Sequence, residues 1–384
     1  MIKKITIKNF KSLAEIIIPL DKFNCLIGMN GAGKTTILQA LDFIAHTLTG
    51  EVKRWLDNRG WTAHDLSCKL RKESNIVLYI EYQADSGSRL AWIADFNRTS
   101  LRCVSETVFL NHEKILQNTG QKYRILSESW NDISFIYEGS ILSQLKPSKL
   151  PDPIPEFLGA IRRIRSLELL SPHLMRKRAR TNDVDIGAGG EKLSAYLYGI
   201  KGEDKNRLIG LLKGFYPNLV DYKVSSMKAG WKKLLAIELF DNQKLETEAA
   251  HLSDGLLRIL AILAQAESDR SLILLDEIEN GINPEIIEKL VETLLASQQQ
   301  ILVTTHSPMI LNYLEDETAR ESVQFIYKTP AGETRARHFF EIPRVGEKLR
   351  WMGPGEAFVD TDLRALTEEC IALDLAESSG NVPA

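Results

Sequence analysis

Nine residues, Gly28-Met29-Asn30-Gly31-Ala32-Gly33-Lys34-Thr35-Thr36, constrain this chain more than any others. They match G-x-x-x-x-G-K-[ST] at every required position. Glycine reaches backbone conformations closed to other residues, so such a loop turns its N–H groups inward around a polyphosphate. Lys34 then offers a point charge to the β- and γ-phosphates, and the Thr35 hydroxyl offers a hard oxygen to Mg²⁺. Asn30, Gly31, Gly33 and Thr36 complete the candidate cradle. Phe23-Asn24-Cys25-Leu26-Ile27 before it reads as a buried strand. Thr36 to Thr47 after it reads as a helix with Ile37, Leu38, Leu41 and Ile44 on one face. Strand, glycine loop and helix N-terminus form a setting that holds an anion, and the expected ligand is a nucleoside triphosphate.

Three further stretches carry chemistry. Ser271-Leu272-Ile273-Leu274-Leu275-Asp276-Glu277 is an apolar strand ending in two carboxylates. Asp276 suits the Mg²⁺ shell, and Glu277 suits the orientation and deprotonation of an attacking water. Gln300-Ile301-Leu302-Val303-Thr304-Thr305-His306-Ser307 is another buried strand, and its histidine can hydrogen-bond a γ-phosphate. His251-Leu252-Ser253-Asp254-Gly255-Leu256-Leu257-Arg258 precedes a helical run from Ile259 to Ala266. Ser253 reads as its N-cap and Gly255 as a place where a phosphate approaches the helix start. Each stretch alone also reads as ordinary structure: a strand ending in acids, a structural histidine, a well-capped helix. Their order is what sets them apart, with 23 residues from Ser253 to Asp276 and 30 from Asp276 to His306.

That order resembles the ATP-binding-cassette superclass, in its RecF/SMC-like branch, with an OLD-like ATPase head. Leu252-Ser253-Asp254-Gly255 is similar to that branch's signature motif, Asp276-Glu277 to Walker B with its glutamate, and His306 to the switch histidine. Ile5-Thr6-Ile7-Lys8-Asn9-Phe10-Lys11-Ser12-Leu13 looks like the opening strand of RecF-like ATPases, and Glu279-Asn280-Gly281-Ile282-Asn283-Pro284 resembles their D-loop region. The resemblance covers residues 1–140 and 245–330. It implies an ATP hydrolase using ATP and Mg²⁺, in which two heads sandwich two nucleotides and each phosphate loop faces Ser253 of the other head. Asp254 and Leu256 depart from the transporter-type signature, and Asn283 stands where many relatives carry His or Asp. Gln83 and Gln144 are both candidates for the Q-loop glutamine.

Lys34 and Ser253 lie 219 residues apart, about twice the separation that resemblance to a transporter cassette implies, so a segment of small-domain size is inserted. It carries no sustained heptads, and Pro147, Pro151, Pro153, Pro155, Pro172 and Pro217 interrupt it, which argues against a long coiled-coil arm. The expected fold is α/β, a P-loop NTPase of ABC/RecF type. It combines a mixed central sheet with helices, an antiparallel β layer and an inserted, mainly helical lobe. The expected divisions are 1–146 (phosphate loop and β layer), 147–240 (inserted lobe), 241–345 (signature, Walker B and switch histidine) and 346–384 (tail).

Within these divisions, residues 1–30 read as two or three strands. Ile76 to Tyr82, Leu90 to Phe96, Val104 to Leu110 and Ile133 to Tyr137 read as strands of the antiparallel layer. Ile154 to Leu170 reads as helical, and 181–191 as a mobile polar, glycine-rich segment. Helices are expected to about Phe215 and a strand pair over 219–240, followed by a helix over 285–296 that buries Ile286, Ile287, Leu290, Val291 and Leu294.

The chain has 384 residues, 44% hydrophobic, enough for two lobes with sizeable cores. No apolar run reaches the length that spans a bilayer, so a cytoplasmic protein without membrane partners is expected. Cys25, Cys68, Cys103 and Cys370 are scattered and expected to be reduced. A net charge of −3 gives no global attraction to nucleic acid, but Arg162, Arg163, Arg165, Arg176, Lys177, Arg178 and Arg180, with Lys228, Lys232 and Lys233 around Trp231, mark DNA as a candidate partner. A solvated helix face, or an interface with acids, is the competing reading of those cations. Arg176 is also placed by its Pro-x-x-Met-Arg turn to reach toward nucleotide.

In the tail, Asp360, Asp362, Glu368 and Glu369 invite comparison with the Toprim-type nuclease domain that OLD-type relatives carry, but the stretch after Gly353-Pro354-Gly355 is too short for one. Thr361 or Asp362 reads better as a helix cap. Any nuclease is therefore expected on a separate effector protein. Homodimerisation or higher self-association through ATP is the other expected partnership. Three roles follow: DNA repair or maintenance, anti-phage defence through a nuclease, and a nucleotide-dependent regulatory scaffold with little turnover.

Overall fold

The computed structural model describes residues 1–180 and 185–378. The chain forms two compact units, Met1–Ile164 with Leu314–Ala384, and Arg165–Tyr313. In the first, an antiparallel layer runs Leu13–Pro19, Ile2–Phe10, Asn75–Gln83, Arg89–Asn97, Arg102–Leu110, Glu113–Asn118, Lys122–Ile125 and Asn131–Asp132. Asn75–Gln83 shows the governing pattern: Ile76, Leu78, Ile80 and Tyr82 are buried and alternate with half-exposed residues. A period of two buries one face of a strand and leaves the other toward solvent. The same unit holds Phe23–Ile27 parallel to Val323–Lys328, which pairs antiparallel with Thr334–His338.

Helix Lys34–Thr49 packs against the layer through Phe43, whose ring lies 5.3 Å from Phe10, 5.1 Å from Phe96 and 5.3 Å from Trp55. Such aromatic pairs contribute about 1 kcal/mol each beyond their buried area. Deeper in the layer, the buried Glu106 carboxylate accepts from Trp92 Nε1 (3.0 Å), Asn118 Nδ2 (3.0 Å), Ile141 N (2.8 Å) and Ser140 Oγ. Burial pushes this carboxyl up, and those four donors oppose the shift.

Several expectations change here. Ile133 to Tyr137 is no strand: Ile136 is fully exposed, whereas Tyr137 turns inward and donates to Cys103 O at 2.8 Å. Ser134, Phe135 and Ile136 are exposed in succession before Tyr137, so the segment does not alternate along a sheet face. The layer instead gains Glu113–Asn118 and Lys122–Ile125, polar hairpin strands with little apolar signal. The helix from Ile154 stops at Arg162 rather than running to Leu170. It packs on Lys34–Thr49, and its Glu156 accepts from Tyr82 OH at 2.9 Å, so the compact boundary falls after Ile164 and not at Pro147. The tail helix Leu363–Ser378 belongs to the first unit, docked by Arg337 and Tyr327 on Asp374 at 2.7 and 2.8 Å.

In the second unit, Arg165–Ser166, Leu272–Leu275 and Gln300–Thr304 run parallel, with Arg165 opposite Ile273 and Leu272 opposite Gln300. Helix Ile287–Leu295 buries Ile287, Leu290, Val291 and Leu294, and Ile286 is half-exposed just before it. The inserted region supplies helices Leu193–Gly199 and Gly202–Phe215. It also supplies an antiparallel sheet of Leu219–Ser226, Lys232–Phe240 and Gln243–Glu248, one strand beyond the expected pair. The segment expected to be mobile at 181–191 falls partly, at 181–184, outside the described residues. From Asp185 on it forms a turn in which Lys192 N donates to Ile186 O at 2.8 Å. Among the described residues, no helix is long and apolar enough to cross a membrane.

Candidate functional site

The phosphate loop is shaped by backbone. Gly28, Gly31 and Gly33 have φ of 144°, 74° and 114°, a region that side chains disfavour. At Gly28 an added Cβ would lie 2.1 Å from Ile326 O, and at Gly33 it would lie 2.6 Å from Thr334 Oγ1. Thr334 also donates to Ala32 O at 2.9 Å, pinning the loop from the neighbouring strand. Lys34, the first helical residue, is buried and curls back to donate to Gly28 O (2.9 Å) and Met29 O (3.2 Å). Its ammonium therefore hangs over the loop's concave side. Asn30 and Gly31 are exposed at the tip, and Thr35 and Thr36 are half-buried in the first turn of the helix. The start of a 16-residue helix adds a positive dipole end to that cradle.

The acidic and histidine stretches are shaped by side chains. Leu272–Leu275 is wholly buried, and Asp276 and Glu277 emerge as the strand leaves the interior. Thr304 Oγ1 donates to Asp276 Oδ1 at 2.6 Å and accepts from Glu277 N at 2.8 Å. One buried hydroxyl thus orients the candidate metal carboxylate and the backbone of the candidate base. Glu277 has φ +45°, a strained value for a residue with a side chain, and this clamp holds it there. Its exposed carboxylate accepts weakly from Asn280 Nδ2 at 3.4 Å. His306 follows the other strand, with Thr305 fully buried before it. The Thr35 hydroxyl in the first unit and the Asp276 carboxylate in the second are each a hard oxygen donor of the kind Mg²⁺ takes.

Ser253 caps helix Asp254–Ala266, accepting from Leu256 N at 3.3 Å. Gly255 is explained by a neighbour within its own unit: a Cβ there would lie 3.0 Å from Gly281 O. Arg176 does not stand free beside a ligand, since it donates to Leu252 O at 2.8 Å and to the Asp254 carboxylate. Arg258, on the same helix, has its pKa pushed down by burial, against the charges of Asp254 and Glu277.

Sequence reasoning missed Thr304 as a clamp. A hydroxyl residue closing an otherwise apolar buried strand was the available signal. It also assigned no role to Glu279, which accepts from Thr305 Oγ1 at 2.9 Å and His306 N at 2.8 Å. Neither Q-loop candidate stands out. Gln83 ends a layer strand paired with Met1, and Gln144 donates to the adjacent Ser143.

The basic cluster divides. Arg162 and Arg163 belong to the first unit, Arg165 faces Asp185 at 3.7 Å, and Arg178 and Lys233 share Glu248 at 2.8 and 2.9 Å. Lys177, Arg178, Met227, Lys228 and Trp231 line an open groove of about 670 Å³.

Comparison with known proteins places this geometry. Residues 118–312 match the family described as "AAA domain, putative AbiEii toxin, Type IV TA system", and residues 1–144 match "AAA ATPase domain". An OLD nuclease of Thermus scotoductus is 48% identical over 44 residues, 12% of this chain and 8% of that protein. Endonuclease GajA of Bacillus cereus is 40% identical over 89 residues, 22% of this chain and 14% of that protein. The chain thus aligns with only a small share of these relatives' length.

Two solved structures share the fold. One is an Smc head bound to the C-terminal winged-helix domain of ScpA (TM-score 0.52, 15% identity, 88% of this chain and 96% of that one). The other is an Smc head with an extended coiled coil, bound to the C-terminal domain of ScpA derived from Pyrococcus furiosus (TM-score 0.53, 13% identity, 91% and 99%). With its glycine cradle, its clamped acids and a family match over residues 118–312, this chain belongs to the AAA-domain family whose description refers to a putative AbiEii toxin, and it is similar to OLD-type and Smc-head ATPases of the ABC class.

Proposed function

We propose that this protein binds ATP with Mg²⁺, hydrolyses it, and uses the cycle to close and open a homodimer. The observation that carries the reading is the loop at residues 28–36: three glycines at positive φ around a buried lysine, at the N-terminus of a long helix. Mg²⁺, held by Thr35 and Asp276, would neutralise charge on the transferred phosphoryl group. Lys34 does the same from the loop side. Glu277 takes a proton from the attacking water, and His306 hydrogen-bonds the γ-phosphate. Ser253 and Gly255 of a second copy complete the pocket, as the resemblance to ABC-class heads implies. Steady-state ATPase rate per subunit, measured against protein concentration, tests this. A rate that climbs with concentration supports the two-headed site. A rate independent of concentration in a strictly monomeric protein overturns it.

The output we infer is control of a separate effector, in anti-phage defence. This reading is supported by the names of the relatives, an OLD nuclease and an endonuclease, and by the family description that refers to a toxin. A regulatory scaffold with slow turnover is the variant of this reading that tight nucleotide retention would favour. A DNA-maintenance role is favoured by one observation, the lysine- and tryptophan-lined groove at Lys177, Lys228 and Trp231, suited to phosphates and base stacking. Stimulation of the ATPase by double-stranded DNA, lost in Lys177→Glu/Lys228→Glu, would support it. A DNA-indifferent rate would direct attention to a protein partner.

A further inference from the structure

Within the second unit, the turn after Asp276-Glu277 is joined to the end of the histidine strand by two interleaved sets of hydrogen bonds. Thr304 makes the first, to Asp276 and to Glu277 N. Glu279 makes the second, with one carboxylate oxygen accepting from Thr305 Oγ1 at 2.9 Å and the other from His306 N at 2.8 Å. The second set extends further, since Thr305 Oγ1 accepts from Ser307 N at 2.9 Å and Ser307 Oγ caps the next helix by accepting from Met309 N at 3.3 Å. On its other side, Glu279 O accepts from Ile282 N at 3.1 Å, and Gly281 lies against the start of the Ser253-capped helix. A charged acceptor that takes two donors in this way fixes both position and direction of the backbone it holds.

We propose that Glu279 is a positioning residue, whose carboxylate holds the backbone at Thr305–His306 so that the imidazole is presented in fixed register with Glu277. The inference rests on the ATPase reading and deepens it. His306 lies two residues beyond the strand Gln300–Thr304, and the Glu279 bond to its N–H holds the backbone at that point. Glutamine at this position keeps the length but removes the charge and leaves a single acceptor oxygen, so Thr305 Oγ1 and His306 N no longer each donate to a carboxylate oxygen and the ring's anchor loosens. Group misplacement of about 1 Å is enough to lower a catalysed rate about 100-fold.

The test is a double-mutant cycle on the full chain. Glu279→Gln should lower kcat about 10- to 100-fold and leave the KM for ATP within about twofold. In a His306→Ala background the same change should cost less than about twofold, because the group it positions is gone. Thr305→Val, which removes one of the two bonds, should give an intermediate loss and guards against a Glu279→Gln variant that fails to fold. Amide hydrogen exchange adds a readout independent of turnover: protection at His306 should fall in Glu279→Gln while protection at Ile278, bonded to Thr304 O at 3.2 Å, persists. Equal losses in both backgrounds, or unchanged exchange at His306, would overturn the proposal. A wild-type protein with no ATPase activity at all would instead sink the hydrolysis reading, and the exchange experiment would still decide whether Glu279 holds His306.

Discussion

The phosphate loop and the acid–histidine region reach order by opposite means. The loop relies on backbone shape: glycines at positive φ, a carbonyl of Ile326 where a side chain would stand, and Thr334 tied to Ala32. The acid–histidine region relies on side chains: Thr304 and Glu279 orient Asp276, Glu277 and His306 through five of their own hydrogen-bonding contacts or their neighbours'. Backbone-built sites fail by steric clash and take the local fold with them. Side-chain-built sites fail by misorientation and leave the fold standing. On the proposed reading, the first region governs whether nucleotide is held, and the second governs what happens to it.

The comparison predicts distinct failures. Removing the proposed proton acceptor should do the most damage to turnover and the least to structure: Glu277→Gln should lower kcat about 10²- to 10⁴-fold, retain ATP and accumulate dimer by size-exclusion chromatography with light scattering. A variant that stays monomeric with ATP would break the two-headed model. Gly28→Ala should act through folding, costing about 3 kcal/mol from the 2.1 Å clash and the positive φ together, read as a lower urea midpoint. Tolerance of alanine there would mean the loop is not set by its backbone.

Thr304→Val, isosteric but without the hydroxyl, should cost about 2 kcal/mol of stability and most of the ATPase activity, and Thr304→Ser should restore both. If valine and serine behaved alike, the hydroxyl clamp would lose its role. The smallest effect is expected at Ser253→Ala, about 1 kcal/mol from the lost helix cap, seen as a modest drop in Tm. On the two-headed reading, this variant also loses the concentration dependence of the rate while binding nucleotide normally.

Much of this was legible from the chain alone because the informative residues are contiguous. The run from Gly28 to Thr36 needs only its neighbours to define a cradle, and the strand ends at Glu277 and His306 are announced by buried apolar runs before them. The layer strands around Ile76–Tyr82, Leu90–Phe96 and Val104–Leu110 likewise declared themselves as strand-like runs. Ile133 to Tyr137 misled because four apolar and aromatic residues out of five, in a polar context, look like a strand. The direction of Tyr137 is decided by Cys103 and Asn118, both distant in sequence.

What local sequence determined, then, was the presence and order of the chemical groups: the loop, the capped helix, the two acids, the histidine. What only the tertiary structure decided was how those groups are held. Thr304 contacts residues 27 and 28 positions earlier, and Glu279 holds a residue 27 positions later. The reason Gly28 admits no side chain lies at Ile326, nearly 300 residues away along the chain. Backbone propensity and hydrophobic period act over a few residues and can be read from them. A hydrogen bond between the ends of two neighbouring parallel strands depends on their register, which is set only when the sheet assembles.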